Sequence, residues 1–137
     1  MSDPELVTEI LSQILTATER VLVRFKPVVS ASFFMDSEEG LEKLDSICMQ
    51  LIAIGESLKN IDKVAGPDFL NRYPQIDWKS AKGMRDIITH HYFDLDAEAV
   101  FDVCRVNLPA MIPILKTMIA DVLILNSDKV AKLSHND

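Results

Sequence analysis

The sequence has little glycine, little cysteine and no excess of positive charge, and each shortage excludes something. Four glycines in 137 residues leave no glycine-rich loop of the kind that cradles nucleotide phosphates, so kinases and dinucleotide enzymes are disfavoured. Cys48 and Cys104 have no Cys-x-x-Cys spacing and no neighbouring histidine, which excludes a disulfide framework and a zinc site and leaves buried free thiols as the expectation. No metal and no other cofactor is expected. The sequence offers no apolar run long enough to cross a bilayer, and its start, MSDPELVTE, lacks the basic residues and apolar stretch of a signal peptide, so a cytoplasmic protein without membrane contact is expected. A net charge of -7 with a pI near 4.9 argues against a broad basic face, so DNA is not expected as a partner and any nucleic-acid role must be local.

What is present is enough apolar material for one core. Hydrophobic residues make up 48% of the chain and charged residues 26%, the balance of a globular protein. The reading is one helical domain over residues 1–126, followed by a polar tail over 127–137 that is expected to fray. From Asp3, placed as N-cap before Pro4, apolar residues recur with helical period to about Phe25. Asp36 and Glu39 are spaced as an acidic relative of the capping box, opening a second helix with a wide stripe through Leu41, Leu44, Cys48, Leu51, Gly55 and Leu58. Gly55 would permit close approach of a neighbour. After turns at Gly66-Pro67 and Tyr73-Pro74, with a short helix between, Asp77 caps a third helix from Trp78. A fourth starts after Asp96, is kinked or broken at Pro109 and again disturbed at Pro113, and keeps its period to about Leu125. No strand alternation or repeat is seen. The expected fold is all-α, an antiparallel four-helix up-and-down bundle with a proline-kinked last helix.

The locally basic part of the chain, Lys79 to Tyr92, holds Lys79, Lys82 and Arg85 against Asp86 alone. At about 100° per residue, Arg85, Asp86, Thr89, His90 and Tyr92 share one arc of the third helix, whereas His91 falls among Met84, Ile87 and Ile88 and is expected to pack. Asp86 precedes His90 by four residues, the spacing at which its carboxylate could orient the imidazole. Metal-free RNA cleavage needs a base for the 2'-hydroxyl proton, an acid for the leaving oxygen and donors for charge on phosphorus. Histidine suits the first two tasks and arginine the third. One chain carries half the set, which two copies at a symmetric interface could complete. By spacing alone, the same residues also describe a solvated, dipole-compensated helix end.

The run Arg85-Asp86-Ile87-Ile88-Thr89-His90-His91-Tyr92 resembles the R-x4-6-H-x-Y motif of HepT-like toxins, a branch of the HEPN superfamily. The flanks Ile76 to Met84 and His91 to Asp94, the break Asn107-Leu108-Pro109 and the stretch Ile54-Gly55-Glu56-Ser57-Leu58-Lys59 are also similar to that family, so the likeness runs from about Leu41 to Leu115. The resemblance implies a dimeric HEPN-like bundle acting as a metal-independent endoribonuclease toxin. Its partner would be an MntA-type minimal nucleotidyltransferase antitoxin that neutralises it by AMP transfer to Tyr92, in a type VII-like toxin-antitoxin pair. In that frame Arg85 steadies the scissile phosphate, His90 acts as base or acid, and Asp86 orients them. Tyr92 lines the RNA groove and receives AMP. Glu56 either buttresses Arg85 or is an ordinary helix glutamate; Lys79 and Lys82 guide phosphates or are simply solvated, Thr89 stands between Arg85 and Tyr92, and Trp78 is expected in the core. The alternative function is a non-catalytic, substrate-presenting subunit of such a transferase.

Overall fold

A computed structural model describes residues 3–135, with side chains to 133. Among the described residues the chain is helical with no strand. Asp3 caps α1 (Pro4–Phe25) by accepting from the Glu5 amide, and Pro4 takes the first position, where its missing N–H costs nothing. A short α2 (Phe33–Asp36) precedes α3 (Glu38–Ala65). The cap of α3 is Ser37, whose hydroxyl accepts from the Gly40 amide 3.0 Å away, and not the expected Asp36, which closes α2. Ser37 wins because its backbone is extended, at φ -154° and ψ 162°, the geometry from which a side chain can turn back onto the first free amides. Gly40 is required there, because a Cβ would run into the Phe33 carbonyl.

A 3₁₀ turn at Leu70–Arg72 leads to α4 (Trp78–His91), capped by Asp77 as expected. A second 3₁₀ turn at Tyr92–Asp94 follows, then α5 (Ala97–Asp102), a π-helical turn at Val103–Asn107, and α6 (Leu108–His135). The kink or break expected at Pro109 takes the form of a π-helical turn just before it. The wider turn over Val103–Asn107 relieves the clash between the Pro109 ring and the carbonyl four residues earlier, and the helix runs on. It also passes Leu125 and reaches His135, because Lys129, Ala131, Lys132 and Leu133 are good helix formers with no glycine or proline among them. Asn136 and Asp137, the end of the expected tail, lie outside the described residues, as do Met1 and Ser2.

Continuity of this helix corrects one reading. The helical stretch Ala97–Leu133 is long and apolar enough, by length and composition, to cross a membrane. Its inner stripe, Val100, Cys104, Leu108, Met111, Leu115, Met118 and Val122, is part of the common core, while Leu123, Ile124, Leu125, Val130 and Leu133 are exposed.

The helices form an antiparallel bundle in which α1 packs on α3 and α6, and α3 on α4. Phe25 at the end of α1 meets Phe101 in α5 with ring centroids 5.2 Å apart, so the last helix returns alongside α1. The core runs through Val7, Leu11 and Ile14 of α1, Phe34, Ile47, Leu58 and Ile61, and Leu115 and Met118 of α6. Burial at about 25 cal/mol per Å² of apolar surface makes this stripe the main source of stability. The Tyr73 hydroxyl ties the α3–α4 connection to α6 by donating to Asp121 over 2.8 Å. Burial and that carboxylate push the Tyr73 hydroxyl up to about 12. Both cysteines are buried and free. Burial first, then Asp45 for Cys48 and Cys48 for Cys104, pushes each thiol up to about 12, so neither is a thiolate near neutral pH.

Candidate functional site

The site grows from one close approach. A Cβ on Gly55 would stand 3.0 Å from Arg85 Cβ and 3.2 Å from the Lys82 carbonyl, so only glycine lets α4 lie this near α3. Side chains flanking the contact then meet across it. Arg85 Nε lies 2.9 Å from Glu56 Oε2, and its Nη1 donates to Asp86 Oδ1 at 3.0 Å. Lys59 donates to the other oxygen of Asp86 at 3.2 Å, and Lys82 donates to Asp62 at 2.7 Å. The pairs 82/62 and 85/56 run in opposite senses along the two helices, as antiparallel packing requires.

Arg85 is therefore aimed by two carboxylates while remaining 37% exposed. The Asp86 hydrogen bond, then the Glu56 charge, raises its pKa further above its ordinary value, so it is a permanent cation. Asp86 is held below the usual carboxylate range by its hydrogen bonds from Arg85 and then Lys59. Thr89 donates its hydroxyl to the Arg85 carbonyl, bonding to its own helix instead of pointing at a ligand.

The histidines depart from expectation. The side-chain hydrogen bonds of Asp86 run to Arg85 and Lys59, one on each oxygen, and not to His90. His90 is exposed, and so is His91. The expected packing of His91 fails because α4 buries only Trp78 and Ile88; Ile87, the apolar neighbour meant to cover it, is itself 51% exposed. Trp78 is in the core as expected, its indole N–H donating to the Tyr73 carbonyl at 2.9 Å. Tyr92 lies just past the end of α4, exposed, with its ring edge-on to Phe93.

Glu56 thus reaches Arg85, and Lys82 is occupied by Asp62 instead of being free. Sequence reasoning missed Lys59 and Asp62. The signal was available: Glu56, Lys59 and Asp62 are spaced by three, one ridge of α3 facing the basic ridge of α4. A cleft of about 280 Å³ opens between α3, α4 and the π-helical turn, lined among others by Leu51, Met84, Val106 and Met111. None of Arg85, Asp86, His90 and Tyr92 lines it, so the polar cluster sits on open surface.

An all-α bundle carrying arginine, histidine and tyrosine around the end of one helix defines a HEPN-like protein, and comparison of the whole chain narrows the class. Residues 14–118 match the family model described as ribonuclease HepT-like. A protein of Methanocaldococcus jannaschii named "Putative RNase" is 30% identical over 105 residues, covering 74% of this chain and 84% of that one. A second protein of that organism with the same kind of name is 32% identical over 75 residues, 55% of this chain and 57% of its own length. "Probable ribonuclease HepT" of Thermococcus cleftensis is 30% identical over 66 residues, 48% of this chain and 56% of its own. The chain spans little more than half the length of these last two. No solved structure matches. The chain belongs to the HepT-like ribonuclease family.

Proposed function

We propose that this protein is an endoribonuclease toxin that cuts RNA without a metal, by attack of a ribose 2'-hydroxyl on the adjacent phosphorus. The observation that carries the reading is Arg85, a permanent cation fixed by Glu56 and Asp86 yet open to solvent, five residues before an exposed and uncommitted His90. An imidazole takes the 2'-hydroxyl proton and the freed oxygen bonds to phosphorus. The bond from phosphorus to the 5'-oxygen breaks, and an imidazolium gives that oxygen its proton. The products end in a cyclic phosphate and a 5'-hydroxyl. Arg85 offers its fork to the phosphate as charge builds there. Two copies meeting around α4 would bring two His90 imidazoles to one phosphate as acid and base, giving a homodimer.

Tyr92 fits the role of modification site. It is exposed, and its hydroxyl has no hydrogen-bond partner among the described residues. AMP transferred there by an MntA-type nucleotidyltransferase antitoxin would set a phosphodiester near Arg85, obstructing the groove and competing for the guanidinium. The reading places the protein in the cytoplasm.

RNA incubated with the purified protein in chelator should yield cyclic-phosphate ends, and Arg85→Ala and His90→Ala should each lower the rate at least ~100-fold. Equal cutting by both variants would refute the assignment. Intact mass of the protein made with and without the transferase reads Tyr92 modification directly. The pairing of every cation in the cluster favours a second reading, in which the chain is a non-catalytic partner of the transferase. Inert RNA assays of the free protein, together with stable co-purification with a transferase, would establish that alternative.

A further inference from the structure

Asp86 is gripped on both oxygens, one by Arg85 Nη1 at 3.0 Å and the other by Lys59 Nζ at 3.2 Å. A guanidinium and an ammonium, one to each oxygen of a single anion, also make a fitting cradle for the two non-bridging oxygens of a phosphodiester. We propose that Lys59 is a further phosphate-contacting residue, and that the Asp86 carboxylate holds, in the free protein, the place that an RNA phosphate takes between Lys59 and Arg85. The inference rests on the ribonuclease reading and deepens it, adding a cation from α3 to the arginine on α4.

The cluster is built so that Asp86 can leave without disturbing the rest. Its side chain is 52% exposed, and exposed ion pairs are worth little against water. Arg85 keeps its aim, because Glu56 holds the Nε from α3 at 2.9 Å. Departure of Asp86 frees Nη1 and opens the end of the guanidinium fork to a phosphate. Glu56 and Lys59 stand three residues apart on one ridge of α3, so one helix supplies both the anchor of the guanidinium and the second cation. The close approach at Gly55 brings that ridge to Arg85.

Charge points the same way. With Asp86 in place, Arg85 and Lys59 stand against Glu56 and Asp86, two against two, and the cluster has no net attraction for RNA. With Asp86 turned out to solvent, the place it vacates is faced by two cations and Glu56 alone. In a chain of net charge -7, that local surplus gives a phosphate somewhere to bind. Lys82 does not take part, being turned to Asp62 at 2.7 Å. His90 is exposed one helical turn beyond Asp86, so a phosphate seated there lies on the imidazole's side of α4.

The test follows a labelled, unstructured oligoribonucleotide by fluorescence anisotropy across a salt series, on full chains carrying His90→Ala so that bound RNA is not cut. Adding Asp86→Asn, nearly the same shape without the charge, should tighten binding about threefold. Adding Lys59→Met should weaken it about tenfold and lower the slope of log affinity against log salt by about 0.7, as one lost phosphate contact on a single strand does. Lys59→Arg should restore both, and Lys59→Gln gives the same reading should the methionine variant fail to fold. A salt slope unchanged by Lys59→Met or Lys59→Gln overturns the proposal and leaves Lys59 an ordinary surface partner of Asp86. Weaker binding in Asp86→Asn also overturns it, because the carboxylate would then be a support and not a placeholder. Lys59-dependent binding by a chain that, with His90 intact, never cuts RNA keeps the phosphate site and sinks the nuclease reading. Cutting that is indifferent to Lys59 and Asp86 does the reverse.

Discussion

α3 and α4 lie against each other but are built on opposite plans. α3 buries nine of its 28 residues, from Gly40 to Ile61, and touches α1, α2 and α4. α4 buries Trp78 and Ile88 of its 14 residues and leaves its second half largely in solvent. The buried helix holds its position by many small apolar contacts. The exposed one is placed by few: an indole at its start, a glycine opposite its middle, and ion pairs across the seam. Half-exposed pairs of that sort contribute little stability, so they aim side chains more than they hold the fold. A helix freed from core duty can spend its residues on chemistry, at the cost that each remaining anchor matters.

Four measurements would break or sharpen the contrast. Removing the anchor at the start of α4 should have the largest effect: Trp78→Ala is expected to lose about 3–5 kcal/mol in urea denaturation, and a loss below 1 kcal/mol would mean that α4 is held elsewhere. Next, Gly55→Ala should cost about 1–3 kcal/mol by overpacking and should also slow RNA cutting, because moving α4 outward separates Arg85 from Glu56; full activity with reduced stability would separate the seam from the site. Smaller still, Tyr73→Phe should cost about 1–2 kcal/mol at neutral pH. The Tyr73 hydroxyl sits near 12 in the folded chain against about 10 unfolded, so its contribution is complete below about pH 10 and lost as pH climbs toward 12; denaturation series across that range should show the difference between variant and parent shrinking. Least of all, His91→Ala should change stability by no more than about 0.5 kcal/mol, whereas the packed histidine expected from the helical wheel would have cost more.

Much of the bundle could be read directly. Asp3 with Pro4, Asp77 and Asp96 start helices where their short acidic side chains reach the first amides, a local effect that needs no tertiary information. Pro109 marked where the last helix is disturbed, but nothing in the local pattern announced that the disturbance would be a π-helical turn. The wheel put Asp86 within reach of both Arg85 and His90, and the structure pairs it with Arg85 and, across the seam, with Lys59. Angular position says which side chains can meet, and α3 supplied two competitors, Lys59 and Glu56, that it could not weigh.

The sequence by itself determined the helices, their starts, the apolar stripe and the family motif, because caps and periodicity act over a few residues and the motif is contiguous. Only the tertiary structure decided that Arg85 is clasped from α3, that Lys82 is occupied by Asp62, and that His91 and Phe93 face solvent. Burial and ion pairing are set by which distant element arrives alongside, and here the missing side chain of Gly55 fixes how near it comes.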